Sequence, residues 1–110
     1  MGYEYSVKLE NADYPQVIKS LANSFQSFSN LYRVESDDKG FALLCDDDKW
    51  AEKMQIMIDT ADDNDTLPLI KGEQFLYCVC YFDGNERKKM IDRIETILQK
   101  LGYSYLIDDL

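Results

Sequence analysis

The side chains of this sequence that could do chemistry are mostly carboxylates. Between Asp37 and Asp65 there are ten acids, namely Asp37, Asp38, Asp46, Asp47, Asp48, Glu52, Asp59, Asp62, Asp63 and Asp65, against Lys39, Lys49 and Lys53. The whole 110-residue chain carries 21 Asp and Glu against 12 Lys and Arg, a formal net charge of −9. Such a field repels nucleic acid and anionic membrane and attracts cationic partners. Carboxylates catalyse hydrolysis when a cleft holds two of them at a fixed separation. Here they fall in turns and loops, where solvation is the simpler fate.

The other reactive residues exclude more than they offer. There is no histidine, so a Ser–His or Cys–His nucleophile pair is ruled out. Cys45, Cys78 and Cys80 would need a fourth ligand to hold a metal, and no paired C-x-x-C knuckles exist. Cys78 and Cys80 stand two apart in an apolar run, which is poor disulfide geometry, so all three read as small core residues in a reducing cytosol. Asp62, Asn64, Thr66 and Glu73 occupy positions one, three, five and twelve of a calcium loop. Leu67 replaces the glycine at six, however, and Pro68 follows it. Asp83-Gly84-Asn85 is too short and too acidic for a phosphate loop. Arg87, Lys88 and Lys89 are offset by Glu86 and Asp92, as on an exposed helix face. No catalytic residue, metal or cofactor is expected.

The element that must position these residues is Phe75-Leu76-Tyr77-Cys78-Val79-Cys80-Tyr81-Phe82, an unbroken apolar run of strand-forming residues. A strand apolar on both faces belongs at the centre of a sheet. Tyr3, Tyr5, Val7 and Leu9 alternate with polar residues as a first strand. Asp13 with Gln16 and Pro15 signals a capped helix start, Ile18, Leu21, Phe25 and Phe28 form its apolar stripe, and Asn30 stops it. Leu31 to Glu35 and Phe41 to Cys45 read as two strands joined by the hairpin turn Asp37-Asp38-Lys39-Gly40, with Gly40 supplying a positive φ. Trp50, Met54, Met57 and Ile58 recur at helical spacing, which predicts a helix ending near Ala61, its N-terminus capped by one of Asp46, Asp47 and Asp48. Pro68 argues against a central strand in the segment from Asp62 to Glu73. Asn85 caps a second long helix lined by Met90, Ile91, Ile94, Ile97, Leu98 and Leu101. Gly102 ends it, and Tyr103 to Ile107 forms the last strand.

A gapless shift of 72 positions lays the first third on the last, Tyr5 on Tyr77, Val7 on Val79 and Asn30 on Gly102. Each third is strand, helix, strand. This predicts an α+β fold in one domain, 1–110: a ferredoxin-like antiparallel sheet, βαβ twice, with helices on one face. Residues 3–36 form one half and 74–108 the other. Residues 37–73 are an insertion of strand, helix and acidic loop. The repeat turns Phe75, Tyr77, Val79 and Tyr81 toward the helices. Leu76, Cys78, Cys80 and Phe82 then need a cover from the inserted helix or a second chain.

No run reaches membrane-spanning length and no signal peptide opens the chain, so a cytoplasmic protein is expected. Met1-Gly2-Tyr3-Glu4-Tyr5-Ser6 matches the bare myristoylation pattern, but the first strand starts at Tyr3 and leaves no free arm. The functional expectation is a non-catalytic protein-binding module, an inhibitor or immunity protein occupying the cationic active site of a nuclease-type toxin. Its partner is a protein with a basic surface; neither nucleic acid nor membrane is expected, and a homodimer is compatible. Asp46, Asp47, Asp48, Asp62, Asp63 and Asp65 are the expected contacts, bracketing the inserted helix. The alternative is a regulatory domain that binds a small molecule through the sheet face or a dimer interface.

Overall fold

The structure is a computed structural model and describes residues 2–27, 32–45, 52–67, 69–82 and 84–110. Eight elements follow in chain order. They are β1 (Tyr3–Leu9), α1 (Tyr14–Gln26), β2 (Arg33–Ser36), β3 (Gly40–Leu44), β4 (Glu52–Thr60), β5 (Gln74–Cys80), α2 (Gly84–Lys100) and β6 (Tyr105–Asp109). The class is α+β: one six-stranded sheet of order β2-β3-β4-β5-β1-β6, every neighbouring pair antiparallel, with two helices. β5 lies at the centre between β4 and β1, as its apolar run predicts.

Over residues 52–60 the helix expected to end near Ala61 is instead strand β4. Met54, Ile56 and Ile58 recur at period two as well as fitting a helical stripe in part, and short apolar runs allow both readings. Residues 52–60 have β3 on one side and β5 on the other, with Phe41↔Ile56 and Ile56↔Cys78 in register. Ladder bonds on both edges and burial of Met54 at 0 % and Ile56 at 1 % exposure select the strand. Trp50 and Asp46, Asp47 and Asp48 lie outside the described residues, as do Phe28, Asn30 and Leu31.

The face assignment of β5 is also reversed. Tyr5 pairs with Cys78 and Val7 with Leu76, so Leu76, Cys78 and Cys80 share the inner face with Tyr5 and Val7. They join the main core with Val17, Ile18, Leu21 and Phe25 of α1 and Met90, Ile94 and Leu98 of α2. The cover for the cysteine face is therefore the chain's own two helices, not an inserted helix or a second chain. A gapless shift by an even number put the wrong parity on β5, and a one-residue slip turns every side chain of a strand over.

The helix ends follow from local chemistry. The Asp13 carboxylate accepts the Gln16 N–H at 3.2 Å, and Pro15 sits in the first turn of α1. The helix ends at Gln26, with Ser27 as its C-cap. The Tyr14 hydroxyl accepts the Leu9 N–H at 3.1 Å and donates to the Gln74 carbonyl at 2.9 Å, tying the start of α1 to β1 and β5. α2 begins at Gly84, so Asn85 lies inside it rather than capping it. At its far end Gly102 has φ 82°, its N–H reaches the Gln99 carbonyl, and the Tyr103 N–H reaches that of Leu98. These two bonds make a Schellman ending, as the glycine predicts. Gly40 differs from expectation. Its φ is not positive, but a Cβ there would stand 2.3 Å from the Ile56 carbonyl oxygen and 2.8 Å from Met57 Cα. Close approach of β3 to β4 is what requires the glycine.

Candidate partner-binding site

The loop between β4 and β5, residues 61–73, covers part of the outer sheet face. Its ends are pinned together: the Ala61 N–H donates to the Glu73 carbonyl and the Gly72 N–H to the Ala61 carbonyl, each at 2.9 Å. Such closed, self-packed loops are compact rather than floppy. Ala61, Leu69 and Phe75 are buried together with Tyr77 against them, a second small core on the outer face. Phe75 and Tyr77 therefore lie under this loop rather than under the helices.

The acids shape the loop as well as charging it. Asp62 Oδ1 accepts the Asn64 N–H and Asp65 Oδ2 accepts the Asp62 N–H, both at 2.9 Å. Short acidic side chains satisfy backbone donors this way in tight turns. Asp63 pairs with Lys71 at 2.8 Å, and Glu73 with Lys8 of β1 at 3.0 Å. The calcium-loop pattern has no counterpart in the geometry: among the described residues, no group of three or more acids or cysteines is placed to hold a metal ion.

Asp62, Asp63 and Asp65 are all exposed. The structure brings Asp65 to acids that sequence reasoning missed. Ser6, Asp65, Asp108 and Asp109 line one pocket of about 220 Å³ between the loop and the ends of β1 and β6. The Asp108 and Asp109 pairing was hidden because the last strand was expected to stop at Ile107. In fact β6 runs to Asp109, with Ser6 opposite Asp108 and Tyr5 opposite Asp109. The available signal was the Leu-Ile-Asp-Asp run itself, two acids following the alternating end of a strand.

Asp46, Asp47 and Asp48, expected to bracket the inserted helix together with Asp62, Asp63 and Asp65, lie outside the described residues. The described element that precedes Asp62, Asp63 and Asp65 is the nine-residue strand β4 rather than a helix. The hairpin acid Asp37 is engaged locally, its Oδ1 accepting the N–H groups of Lys39 at 2.8 Å and Gly40 at 3.0 Å.

The basic residues of α2 form no free patch. Lys88 pairs with Asp92 at 3.4 Å, Lys89 with Glu86 at 3.3 Å, and the Arg87 guanidinium lies 3.6 Å from the centroid of the Tyr3 ring. The thiols are poor nucleophiles where they are deepest. Cys78 and Cys80 are both 0 % exposed, and burial pushes the Cys78 thiol up to about 12. Among the described residues no helix is long and apolar enough to cross a membrane. Comparison with protein-family models, curated proteins and solved structures finds no match to this chain.

Proposed function

We propose that this chain is a non-catalytic acidic binding module that captures a protein with a basic surface, in its sharpest form an inhibitor or immunity-type protein neutralising a nuclease-like toxin. One observation carries the reading: the pinned loop holds Asp62, Asp63 and Asp65 exposed, and Asp65 shares a pocket with Asp108 and Asp109. A loop already closed and packed loses little freedom on binding. A cluster of one sign speeds encounter with a surface of the other. The sheet itself reads as a ferredoxin-like one widened by a hairpin. Without β3 and β4 the order would be β2-β5-β1-β6, that of two interleaved βαβ units.

The test is capture of a cationic protein from the source cells, then stopped-flow association of the purified pair over a salt series. Changing Asp62, Asp63 and Asp65 together to Asn keeps the side-chain oxygens with which residues 62 and 65 accept backbone N–H groups and removes all three charges. Association should slow at least tenfold and its salt dependence flatten, while a matched triple change at Asp46, Asp47 and Asp48 measures that segment separately. A captured partner that binds both triple variants as fast as the parent refutes acidic capture. The small-molecule or dimer reading draws on the uncovered part of the outer face, where Tyr81 is 47 % exposed and Val79 and Met57 are half-buried. Sedimentation showing a concentration-dependent dimer weakened by Tyr81→Ser would favour it.

A further inference from the structure

We infer that the free edge of β2 pairs with the β2 edge of a second copy of this chain, antiparallel and centred on Val34, joining two six-stranded sheets into one; this goes beyond the capture reading and does not depend on it. β2 ends the sheet, with β3 as its one neighbour. The β2–β3 register fixes which of its backbone groups face outward. The Asp37 N–H donates to the Gly40 carbonyl at 2.9 Å, so Asp37 and Gly40 are a hydrogen-bonded pair. Bonded and non-bonded pairs alternate along an antiparallel ladder, which makes Glu35–Ala42 and Arg33–Leu44 bonded pairs as well. The N–H and C=O groups of Val34 and Ser36 therefore point away from β3. Among the described residues no other backbone group meets them. Such a row is a template for another strand.

Side-chain charge selects both the occupant and the register. Arg33 and Glu35 are exposed on the outer face and form an ion pair of 2.6 Å along the strand. With a twofold axis at Val34, Arg33 stands opposite Glu35 of the second copy and Glu35 opposite its Arg33. These are non-hydrogen-bonded positions, where facing side chains come closest. Any other residue of β2 at the axis sets like charges together: Arg33 against Arg33, Glu35 against Glu35 or, centred on Ser36, Glu35 against Asp37. Charge on an edge strand blocks pairing when it meets its like. β2 carries one charge of each sign, spaced so that the axis matches them. The far edge offers no such match, since β6 reads Tyr-Leu-Ile-Asp-Asp and has acids without a cation. Val34, half-buried against the main core, meets its own copy on the inner face and carries apolar contact across the axis. A twofold contact uses one patch twice and closes at two chains.

The experiment is sedimentation equilibrium of the full chain at physiological salt, with amide hydrogen exchange at low and high protein concentration. The net charge of −9 opposes self-association at long range, and salt screens it beyond about 8 Å while leaving the close pairs. A reversible dimer is expected, in the weak class that small interfaces form. Exchange at Val34 and Ser36 should slow as the dimer fills, while the Arg33 and Glu35 amides, already bonded to β3, do not change. Arg33→Glu and Glu35→Arg should each weaken the dimer about tenfold or more, because each replaces attractive cross-axis pairs by repulsive ones. An equimolar mixture of these two variants should associate at least as tightly as the parent, since unlike charges face each other again. A parent that stays monomeric up to about 1 mM overturns the inference, as does a mixture no tighter than either variant alone. A dimer weakened by Tyr81→Ser and untouched by the β2 changes overturns it in favour of the outer sheet face. If protection of Val34 and Ser36 appears only with a captured partner present, the β2 edge belongs to that partner, and edge pairing falls while capture stands.

Discussion

Truncating Ile56 and Met57 separately tests the central structural correction, because strand and helix rank the two residues oppositely. In the helical pattern Met57 belongs to the apolar stripe and Ile56 lies off it. In the sheet Ile56 is 1 % exposed, paired with Phe41 on one side and Cys78 on the other, whereas Met57 points outward and is half-buried. Ile56→Ala removes three buried carbons, about 2.4 kcal/mol at about 0.8 kcal/mol per buried methylene. A site walled by ladder bonds on both sides cannot collapse freely, so a cavity cost adds to this and the total should be about 3–4 kcal/mol. Against a stability of roughly 5–15 kcal/mol for a domain of this size, that is a large fraction. Met57→Ala should cost about 1 kcal/mol or less. Urea unfolding of both variants, with the slope checked for constancy, measures the two values. Thermal melts should show a fall of roughly 10–20 °C for Ile56→Ala. An Ile56→Ala loss under about 0.5 kcal/mol, with Met57→Ala the costlier change, would refute β4 as an inner strand.

Two further outcomes follow from the packing. Gly40→Ala should destabilise by about 1–3 kcal/mol, because the added Cβ meets backbone atoms of Ile56 and Met57 that cannot rotate away; a neutral result in urea would mean β3 and β4 are not in this register. Alkali should weaken the fold. The Cys78 thiol is raised from 9.0 to about 12 by burial, and the Tyr77 phenol from 10.0 to about 12, first by its hydrogen bond to the Glu4 carboxylate and then by burial. Both protons are held more tightly in the folded chain, so the stabilisation is complete below the unfolded values and is lost as pH climbs from about 9 toward 12. The urea midpoint should fall over that window, and Cys78→Val with Tyr77→Phe should flatten the fall; parallel curves for parent and double variant would exclude these groups as its source.

The sequence by itself determined what is local. Alternation at Tyr3 to Leu9, the Asp13 cap, the hairpin acid Asp37 and the helix-ending Gly102 each act over a few residues, and each is found where its side-chain chemistry requires. The unbroken run at Phe75–Phe82 also marked the centre of the sheet, since a strand apolar on both faces has no stable place at an edge. What needed the tertiary structure is whatever depended on a distant neighbour. Residues 52–60 satisfy two periods, and only the edges of β3 and β5 made the strand the better state. The inner face of β5 was a question of parity, settled by Tyr5 opposite Cys78 and invisible in a chain where both faces are apolar. The candidate site divides the same way. The acidity of Asp62, Asp63 and Asp65 was legible, because charge is carried by composition alone. The meeting of Asp65 with Ser6, Asp108 and Asp109 was not, because residues at the start, middle and end of the chain become neighbours only when the sheet sets β1 against β6 and the loop closes over them.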